Sequence, residues 1–171
     1  DSLGKICAIK SVDRFVGVYP SNTSGYFDRL DPSLLVNIFT QKGKDLGERM
    51  MNAFSARFKE GYSRVVIIGA DSPSLPLKYI VQAFCSDRDV ALGPSLDGGY
   101  YLIGMRQKLV NLFDGVKWGE DTVLEETRYK LEKSGASLEL LPIWYDVDRA
   151  GDLRFLKTHL QLLNESSQIE G

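Results

Sequence analysis

The sequence is poor in the residues on which many kinds of site depend. Its 171 residues include one histidine, His159, and two cysteines, Cys7 and Cys85. The cysteines stand far apart and form no Cys-x-x-Cys or Cys/His ligand pattern, so we expect reduced thiols and a cytoplasmic setting. His159 lies in a late amphipathic segment without a Ser or Cys nucleophile nearby. A Ser-His-Asp or Cys-His mechanism is therefore not favoured.

Basic patches and long apolar runs are also missing. The formal net charge is -2, and the Lys and Arg residues are scattered, so nucleic acid is not expected as a partner. Uninterrupted apolar runs are only a few residues long, so no membrane span is expected. What is present, 43% hydrophobic and 26% charged residues, is typical of one globular domain of ordinary size.

Apolar runs, turn signals and amphipathic stretches alternate along the chain, which predicts repeated βα units. We expect one α/β domain over residues 1–163 and a frayed tail over residues 164–171. Strands are predicted at residues 14–19, 34–39, 65–68, 90–93, 100–105 and 138–143, and helices at residues 2–10, 45–59, 77–85, 120–134 and 151–163.

The stretch VVIIGADSPSLP, residues 65–76, ends an apolar run at a carboxylate. Such a run is typical of a strand buried on both faces of a parallel sheet. Asp71 follows its carboxyl end, where ligands bind in α/β sheets, and a carboxylate there suits a divalent cation and its phosphates. Alternatively, Asp71 or Ser72 caps the next helix. We favour the metal because Asp71 precedes that helix by several residues.

A second loop, QKGKDLGERM at residues 41–50, leads from a strand into a helix. The glycine turn and the helix N-terminus would present backbone N–H groups to an anion. The alternative is an ordinary helix cap followed by a solvated pair of Glu48 and Arg49. The sequence leaves both interpretations open.

A third loop, GPSLDGGYY at residues 93–101, places Asp97 before two tyrosines. Substrate pockets combine aromatic walls with a few polar groups, so Tyr100 and Tyr101 suggest such a pocket. Asp-Gly-Gly between two apolar runs is equally typical of a type I′ hairpin turn. Spacing alone does not decide between them.

Two further carboxylates, Asp146 and Asp148, alternate at the end of the last predicted strand. Side chains two residues apart on a strand point to the same face, so both can share a divalent cation with phosphate oxygens. The alternative is that Asp148 or Asp152 caps the closing helix.

Together these segments carry a family resemblance. In order, they are QKGKDLGERM, VVIIGADSPSLP, ALGPSLDGGYYLIG, Trp118-Gly119 and DVDRAGDL. The chain from about residue 2 to residue 156 resembles the rSAM/selenodomain-associated transferase family. That family is a glycosyltransferase-like branch of the nucleotide-diphospho-sugar transferase (GT-A) superfamily, and it is similar to phospholactate and molybdenum-cofactor guanylyltransferases.

The resemblance implies a three-layer α/β/α fold with a mostly parallel, mixed central sheet. It implies a transferase that uses Mg²⁺ or Mn²⁺, held by Asp71 and Asp148 with Asp146 beside them. Asp71 and Asp97 would be the catalytic residues, and Asp97 would orient the acceptor or act as a base. The residues expected at the nucleotide and substrate are Gly43, Asp45, Arg49, Ser72, Pro73, Gly98, Gly99, Tyr100 and Trp118.

The sequence also departs from its relatives. They begin with a strand and a glycine- and basic-rich nucleotide loop, whereas this chain opens inside the helix that follows. We therefore expect an incomplete sheet and weak or no activity for the chain as it stands. Arg149-Ala150-Gly151 also stands where relatives have Thr-Pro and an acidic residue.

Three functions follow as hypotheses. The preferred one is a metal-dependent enzyme that binds a nucleotide-diphospho-sugar and transfers its glycosyl group to a small acceptor. The first alternative is a nucleotidyltransferase that moves a nucleoside monophosphate from a triphosphate to a phosphorylated acceptor. The second is a non-catalytic nucleotide-binding module. The sequence does not predict an oligomeric state.

Overall fold

The computed structural model describes residues 2–21, 25, 27 and 36–169. Residues 34–35 of the second predicted strand and residues 170–171 of the predicted tail lie outside this description. The helices are α1 (Ser2–Ala8), α2 (Leu46–Lys59), α3 (Leu77–Cys85), α4 (Val123–Ser134) and α5 (Ala150–Ile169). The strands are β1 (Arg14–Val18), β2 (Val36–Thr40), β3 (Arg64–Ile68), β4 (Val90–Pro94), β5 (Tyr100–Arg106) and β6 (Leu138–Leu140).

The described strands form two sheets. β1 and β2 pair in parallel, with Arg14 opposite Val36. The larger sheet has the order β3-β5-β4-β6, in which β5 runs antiparallel to β3 and β4 while β4 and β6 are parallel. Consequently β3, β4 and β6 share one direction. Their carboxyl ends, and the loops that follow them, lie at the same edge of the sheet.

Helices cover both faces of this sheet. On one face, Met50 and Phe54 of α2 and Leu131 of α4 belong to a buried cluster with β4 and β5. On the other face, Ile80 and Ala83 of α3 belong to a second cluster with the same strands. Successive β4 residues alternate between the two clusters, as expected of a strand between two layers. The predicted three-layer α/β fold with a mixed sheet is confirmed.

One expectation about β3 is wrong. The run Val65–Ile68 predicts a fully buried parallel strand, but β3 is only half-buried and pairs antiparallel with β5. Among the described residues, β3 is an end strand of its sheet. The chain turns back after β4, so β5 runs antiparallel to β4, and the other edge of β5 pairs with β3. An apolar run does not determine the direction of the strand that pairs with it.

The helix boundaries differ most at the ends of the chain. α5 continues to Ile169 instead of ending at Leu163, because no Gly or Pro follows Gly151 before the helix ends. α4 ends as predicted at Gly135, which adopts a left-handed φ of 65°. None of the helices within the described residues is both long enough and apolar enough to cross a bilayer.

Candidate functional site

Three carboxylates meet at the edge where β3, β4 and β6 end. Oxygen atoms of Asp97, Asp146 and Asp148 all lie within 4.8 Å of one another. We call these residues the carboxylate trio. Divalent cations such as Mg²⁺ and Ca²⁺ bind oxygen ligands at about 2.0–2.6 Å, so two ligands of one ion lie at most about 5.2 Å apart, twice the longest of these bonds. The trio is therefore compact enough for its three carboxylates to share one divalent cation.

Asp71 lies beside the trio. Its carboxyl has a pKa above the ordinary value, chiefly because the surrounding protein desolvates it, and also because Asp148 and Asp97 repel its charge. The Asp71 carbonyl oxygen accepts a hydrogen bond from the Val147 N–H at 2.9 Å. The structure thus brings together the four carboxylates expected from the sequence, but it groups Asp97, not Asp71, with Asp146 and Asp148.

Asp146 is the most firmly held member of the trio. The buried Ser95 hydroxyl donates a hydrogen bond to its Oδ1. Desolvation raises the pKa of Asp146, repulsion by Asp97 and Asp71 adds to this, and the Ser95 hydrogen bond opposes it. Since Ser95 occupies one carboxylate oxygen, the other remains available as a ligand.

The loop that carries Asp97 is held at its C-terminal end. Gly99 donates its N–H to Oδ1 of Asp97 at 2.9 Å, and the Gly98 carbonyl accepts the Leu124 N–H at 2.8 Å. Gly98 has a φ of +88°, and a Cβ there would overlap the carbonyl oxygen of Asp121. The hairpin interpretation is confirmed, but five residues connect Pro94 to Tyr100 instead of the two of a type I′ turn.

Trp144, which the sequence did not single out, joins three loops of this edge. Its main chain pairs with Pro94, the last residue of β4, and with Leu96 in the loop that follows. Its indole Nε1 donates a hydrogen bond to Ser74 Oγ, in the loop after β3, at 3.2 Å. The only sequence signal was its place between the last strand and the two carboxylates.

Helix α5 begins directly behind the trio. Its Asp152 carboxylate accepts the N–H groups of Asp148 at 3.1 Å and Arg149 at 2.8 Å. This confirms the capping interpretation for Asp152. Further along α5, His159 Nδ1 lies 2.6 Å from the Tyr145 hydroxyl. The sequence gave no signal for this pair, because its members are far apart and on different elements.

The loop before α2 provides the N-cap residue of that helix. Asp45 Oδ1 accepts the Glu48 N–H at 2.8 Å, so the capping interpretation is confirmed there. Glu48 pairs with Lys44 at 2.9 Å, not with Arg49. The Arg49 guanidinium instead lies 4.2 Å from the centre of the Tyr19 ring. Gly43 precedes the cap with a φ of +145°.

The aromatic residues pack into the core next to α2. Trp118 and Tyr100 pack against the buried cluster that contains Phe54 and meet edge to face, with ring centres 6.3 Å apart. Trp118 also lies against Gly47, where a Cβ would come within 2.6 Å of the indole nitrogen. Tyr101 is buried, and its hydroxyl donates to the Pro142 carbonyl at 2.8 Å.

Neither Asp71 nor Ser72 caps α3. The residue before that helix is Pro76, and no side chain there accepts a capping hydrogen bond. Ser72 is 1% exposed, and its hydroxyl has no hydrogen-bond partner in the part of the chain that the structure describes. Pro73 lies in the same turn, which the Leu75 N–H closes onto the Ser72 carbonyl at 3.0 Å.

Comparisons with known proteins agree with this architecture. Residues 3–120 match the family described as an uncharacterized protein conserved in bacteria (DUF2064). The chain is also similar to a crystal structure from Desulfovibrio desulfuricans G20, of a protein provisionally named a nucleotide-diphospho-sugar transferase. The two share 34% identity with a TM-score of 0.79, over 86% of this chain and 65% of that one. The chain thus spans slightly less than two thirds of that protein. No curated protein matches the sequence.

Proposed function

The chain belongs to the DUF2064 family, and from its site and its fold we propose that it is a metal-dependent transferase that acts on a nucleotide-diphospho-sugar. The observation that carries this proposal is the carboxylate trio, with its oxygen atoms within 4.8 Å of one another. The name of the similar Desulfovibrio desulfuricans G20 protein supports the substrate class. We also propose that the chain falls in the rSAM/selenodomain-associated branch, works in the cytoplasm, and uses neither nucleic acid nor membrane as a partner.

Electrostatics favours a cation in the trio. Desolvation is the main cause of the raised pKa values of Asp71 and Asp146, and repulsion by neighbouring carboxylates adds to it. A divalent cation would relieve that repulsion and hold the carboxylates in their charged form. When bound, Mg²⁺ or Mn²⁺ would stabilise the charge that develops on a departing diphosphate. Asp97, Asp146 and Asp148 would hold it.

Asp71 is then the better candidate for the base. It stands outside the trio, and its raised pKa brings it closer to the operating pH, as general base catalysis requires. We propose that Asp71 takes the proton from an acceptor hydroxyl while that oxygen bonds to the anomeric carbon. The bond from this carbon to the diphosphate breaks, and the electron pair leaves with the nucleoside diphosphate.

The nucleotide would lie toward the start of α2. Helix N-termini bind phosphate through free N–H groups, and Arg49 adds a positive charge there. Gly43 would allow close approach of the backbone, whereas Asp45 would support this region as the cap and not as a contact. Gly98 and Gly99 would let the acceptor approach the loop of Asp97. The walls of the proposed substrate site would be supported from the protein interior by Ser72, Pro73, Tyr100 and Trp118.

Product analysis tests the proposal. The protein is incubated with a panel of nucleotide-sugars and nucleoside triphosphates, with Mn²⁺ or Mg²⁺, and its thermal stability and products are measured. We expect a nucleotide-sugar to raise the Tm only with metal, because ligands that bind the folded state stabilise it. Release of nucleoside diphosphate supports glycosyl transfer, and release of pyrophosphate would indicate nucleotidyl transfer instead.

The Asp148→Asn variant is expected to lose both the metal-dependent rise in Tm and the release of product. Asp87→Asn, whose exposed carboxylate lies away from the trio, should keep both. Metal-dependent nucleotide binding by the full-length protein without any product would favour the non-catalytic module. If no nucleotide or nucleotide-sugar raises the Tm with either metal, the proposal is wrong.

A further inference from the structure

We propose that His159 positions the carboxylate trio by holding Tyr145 from helix α5, so that this helix sets the metal affinity of the site. The inference rests on the proposed function, in which the trio binds a divalent cation. It assigns a role to the single histidine of the chain, which the reaction itself does not use.

The hydrogen bond between the two side chains is short and partly shielded. Tyr145 Oη lies 2.6 Å from His159 Nδ1, and both residues are half-buried. In the neutral tautomer with its proton on Nε2, the His159 Nδ1 accepts a hydrogen bond from the Tyr145 hydroxyl. Because Tyr145 directly precedes Asp146, this hydrogen bond fixes the chain one residue before the trio begins.

A second contact fixes the other end of the same segment. The Asp152 carboxylate of α5 accepts the N–H groups of Asp148 and Arg149. Asp152 and His159 lie seven residues apart, about two helical turns, so they share one face of α5. Residues 145–149 are therefore attached to that face at both ends, with the carboxylates of Asp146 and Asp148 between the two attachments.

The His159 ring also contacts the residue that joins the three loops. Its centre lies 5.7 Å from the Trp144 ring, 5.6 Å from the Tyr145 ring and 6.0 Å from the Phe155 ring. A role in packing alone would need only an aromatic or apolar side chain at this place. A positioning role needs a hydrogen-bond acceptor at Nδ1, and this difference separates the two roles by experiment.

The test measures metal binding in a set of variants of this chain. Tyr145→Phe removes the donor and keeps the ring, His159→Leu removes the acceptor, and His159→Asn keeps an acceptor near the Nδ1 position. Mn²⁺ affinity is measured by calorimetry. Tb³⁺ luminescence excited through tryptophan reports the geometry, since Trp144 lies close to the trio. Tyr129→Phe, at a tyrosine of α4 that is 57% exposed, is the matched control.

We expect Tyr145→Phe and His159→Leu each to weaken Mn²⁺ binding about tenfold, as residues that orient metal ligands commonly do. The double variant of Tyr145→Phe and His159→Leu should bind Mn²⁺ no more weakly than the weaker-binding single variant, because each substitution removes the same hydrogen bond. His159→Asn should bind Mn²⁺ within about threefold of the wild-type affinity, a smaller change than the tenfold loss expected for His159→Leu. Tyr129→Phe should bind like the wild type.

Several outcomes would overturn the inference. Unchanged Mn²⁺ affinity and unchanged Tb³⁺ signal in Tyr145→Phe and His159→Leu would do so. A loss in His159→Leu that His159→Asn does not restore, and that follows the Tm of the metal-free variants, would assign His159 to packing alone. If the wild type binds neither Mn²⁺ nor Tb³⁺, the proposed metal site fails, and this inference fails with it.

Discussion

The main-chain N–H of Val147 donates a hydrogen bond to the carbonyl oxygen of Asp71 at 2.9 Å. This bond joins the loop after β3 to the segment after β6, although β5 and β4 lie between those strands in the sheet. Because the two neighbours of Val147 are Asp146 and Asp148, the bond brings Asp71 next to two members of the trio. Asp71 is therefore tied to the site through its backbone, independently of any metal.

Asp97→Asn should distinguish a metal ligand from a base. If Asp97 is a ligand, the variant should bind Mn²⁺ at least about tenfold more weakly, a loss of ~1.4 kcal/mol, by calorimetry. Asp87→Asn serves as the control, because its exposed carboxylate lies away from the trio. An unchanged Mn²⁺ affinity with reduced turnover would return Asp97 to the role of acceptor base.

Asp71→Asn should stabilise the metal-free protein at neutral pH. The protein raises the pKa of Asp71 above its ordinary value of 3.8, so the native state binds more protons than the unfolded state between the two pKa values. Stability is therefore lost as pH rises from about 4 through the raised pKa. Because the side chain is exposed, screening limits the gain from Asn to about 0.5 kcal/mol at pH 7.

The measurement for Asp71→Asn is urea unfolding in EDTA at pH 4 and pH 7, with wild type in parallel. The gain should be smaller at pH 4 than at pH 7, because the raised pKa leaves the native carboxyl more protonated at the lower pH. A gain of equal size at both pH values would point to packing and not to charge.

Ser95→Ala should destabilise the protein by about 2 kcal/mol, because a hydrogen bond to a charged, partly buried group is lost. The hydroxyl is the donor to Asp146 Oδ1, and Ser95 is 5% exposed. Chemical denaturation measures the change. Ser166→Ala, in the exposed part of α5, is the control and should stay within about 0.5 kcal/mol of wild type. Equal effects of the two variants would contradict a special role for Ser95.

Gly98→Ala should cost more than its backbone conformation alone requires. Gly98 and Gly119 have nearly the same φ, +88° and +89°, but only Gly98 has atoms close to where a Cβ would stand. We expect about 1–2 kcal/mol of loss for Gly119→Ala from the left-handed conformation. Gly98→Ala should lose a further 1–3 kcal/mol, roughly the cost of overpacking. Similar unfolding free energies of the two variants would show that the backbone at Asp121 shifts to accommodate the added Cβ.

Gly47→Ala should reverse the usual effect of alanine in a helix. At an open helical position, replacing Gly with Ala stabilises by about 0.5–1 kcal/mol, and we expect this for Gly151→Ala, where no atom lies within 4 Å of the added Cβ. Gly47→Ala should instead lose about 1–3 kcal/mol by pressing on Trp118. Tryptophan fluorescence should shift in Gly47→Ala only. A stabilised Gly47→Ala would mean that Trp118 moves at no cost.

Much of the fold follows from periodicity. The predicted helix at residues 77–85 coincides with α3, since Pro76 and an amphipathic pattern define its limits. The direction of β3 did not follow, because strand pairing depends on residues far away in the sequence. The apolar run Val65–Ile68 predicts a strand but carries no information on its partner β5, which pairs antiparallel with both β3 and β4.

The site was predictable where it depends on strand ends. Asp146 and Asp148 come together as their alternation predicts, and Asp97 joins them because β4 and β6 are parallel neighbours. The contacts that hold these side chains in place were not predictable. Ser95 and His159 act through single hydrogen bonds to distant segments, and a common residue type such as serine carries no signal of its partner.

The order of the strands in the sheet also sets the distance between β3 and β4. β4 follows β3 in the chain, yet β5 lies between them, so the two strands are separated by two strand spacings, about 10 Å. The antiparallel strand thus acts as a spacer between the loop of Asp71 and the loop of Asp97. Without it, the two loops would start from adjacent strands and fill the gap between them with their own backbone. With it, the segment after β6 has room to reach the loop after β3, where the Val147 N–H donates to the Asp71 carbonyl oxygen.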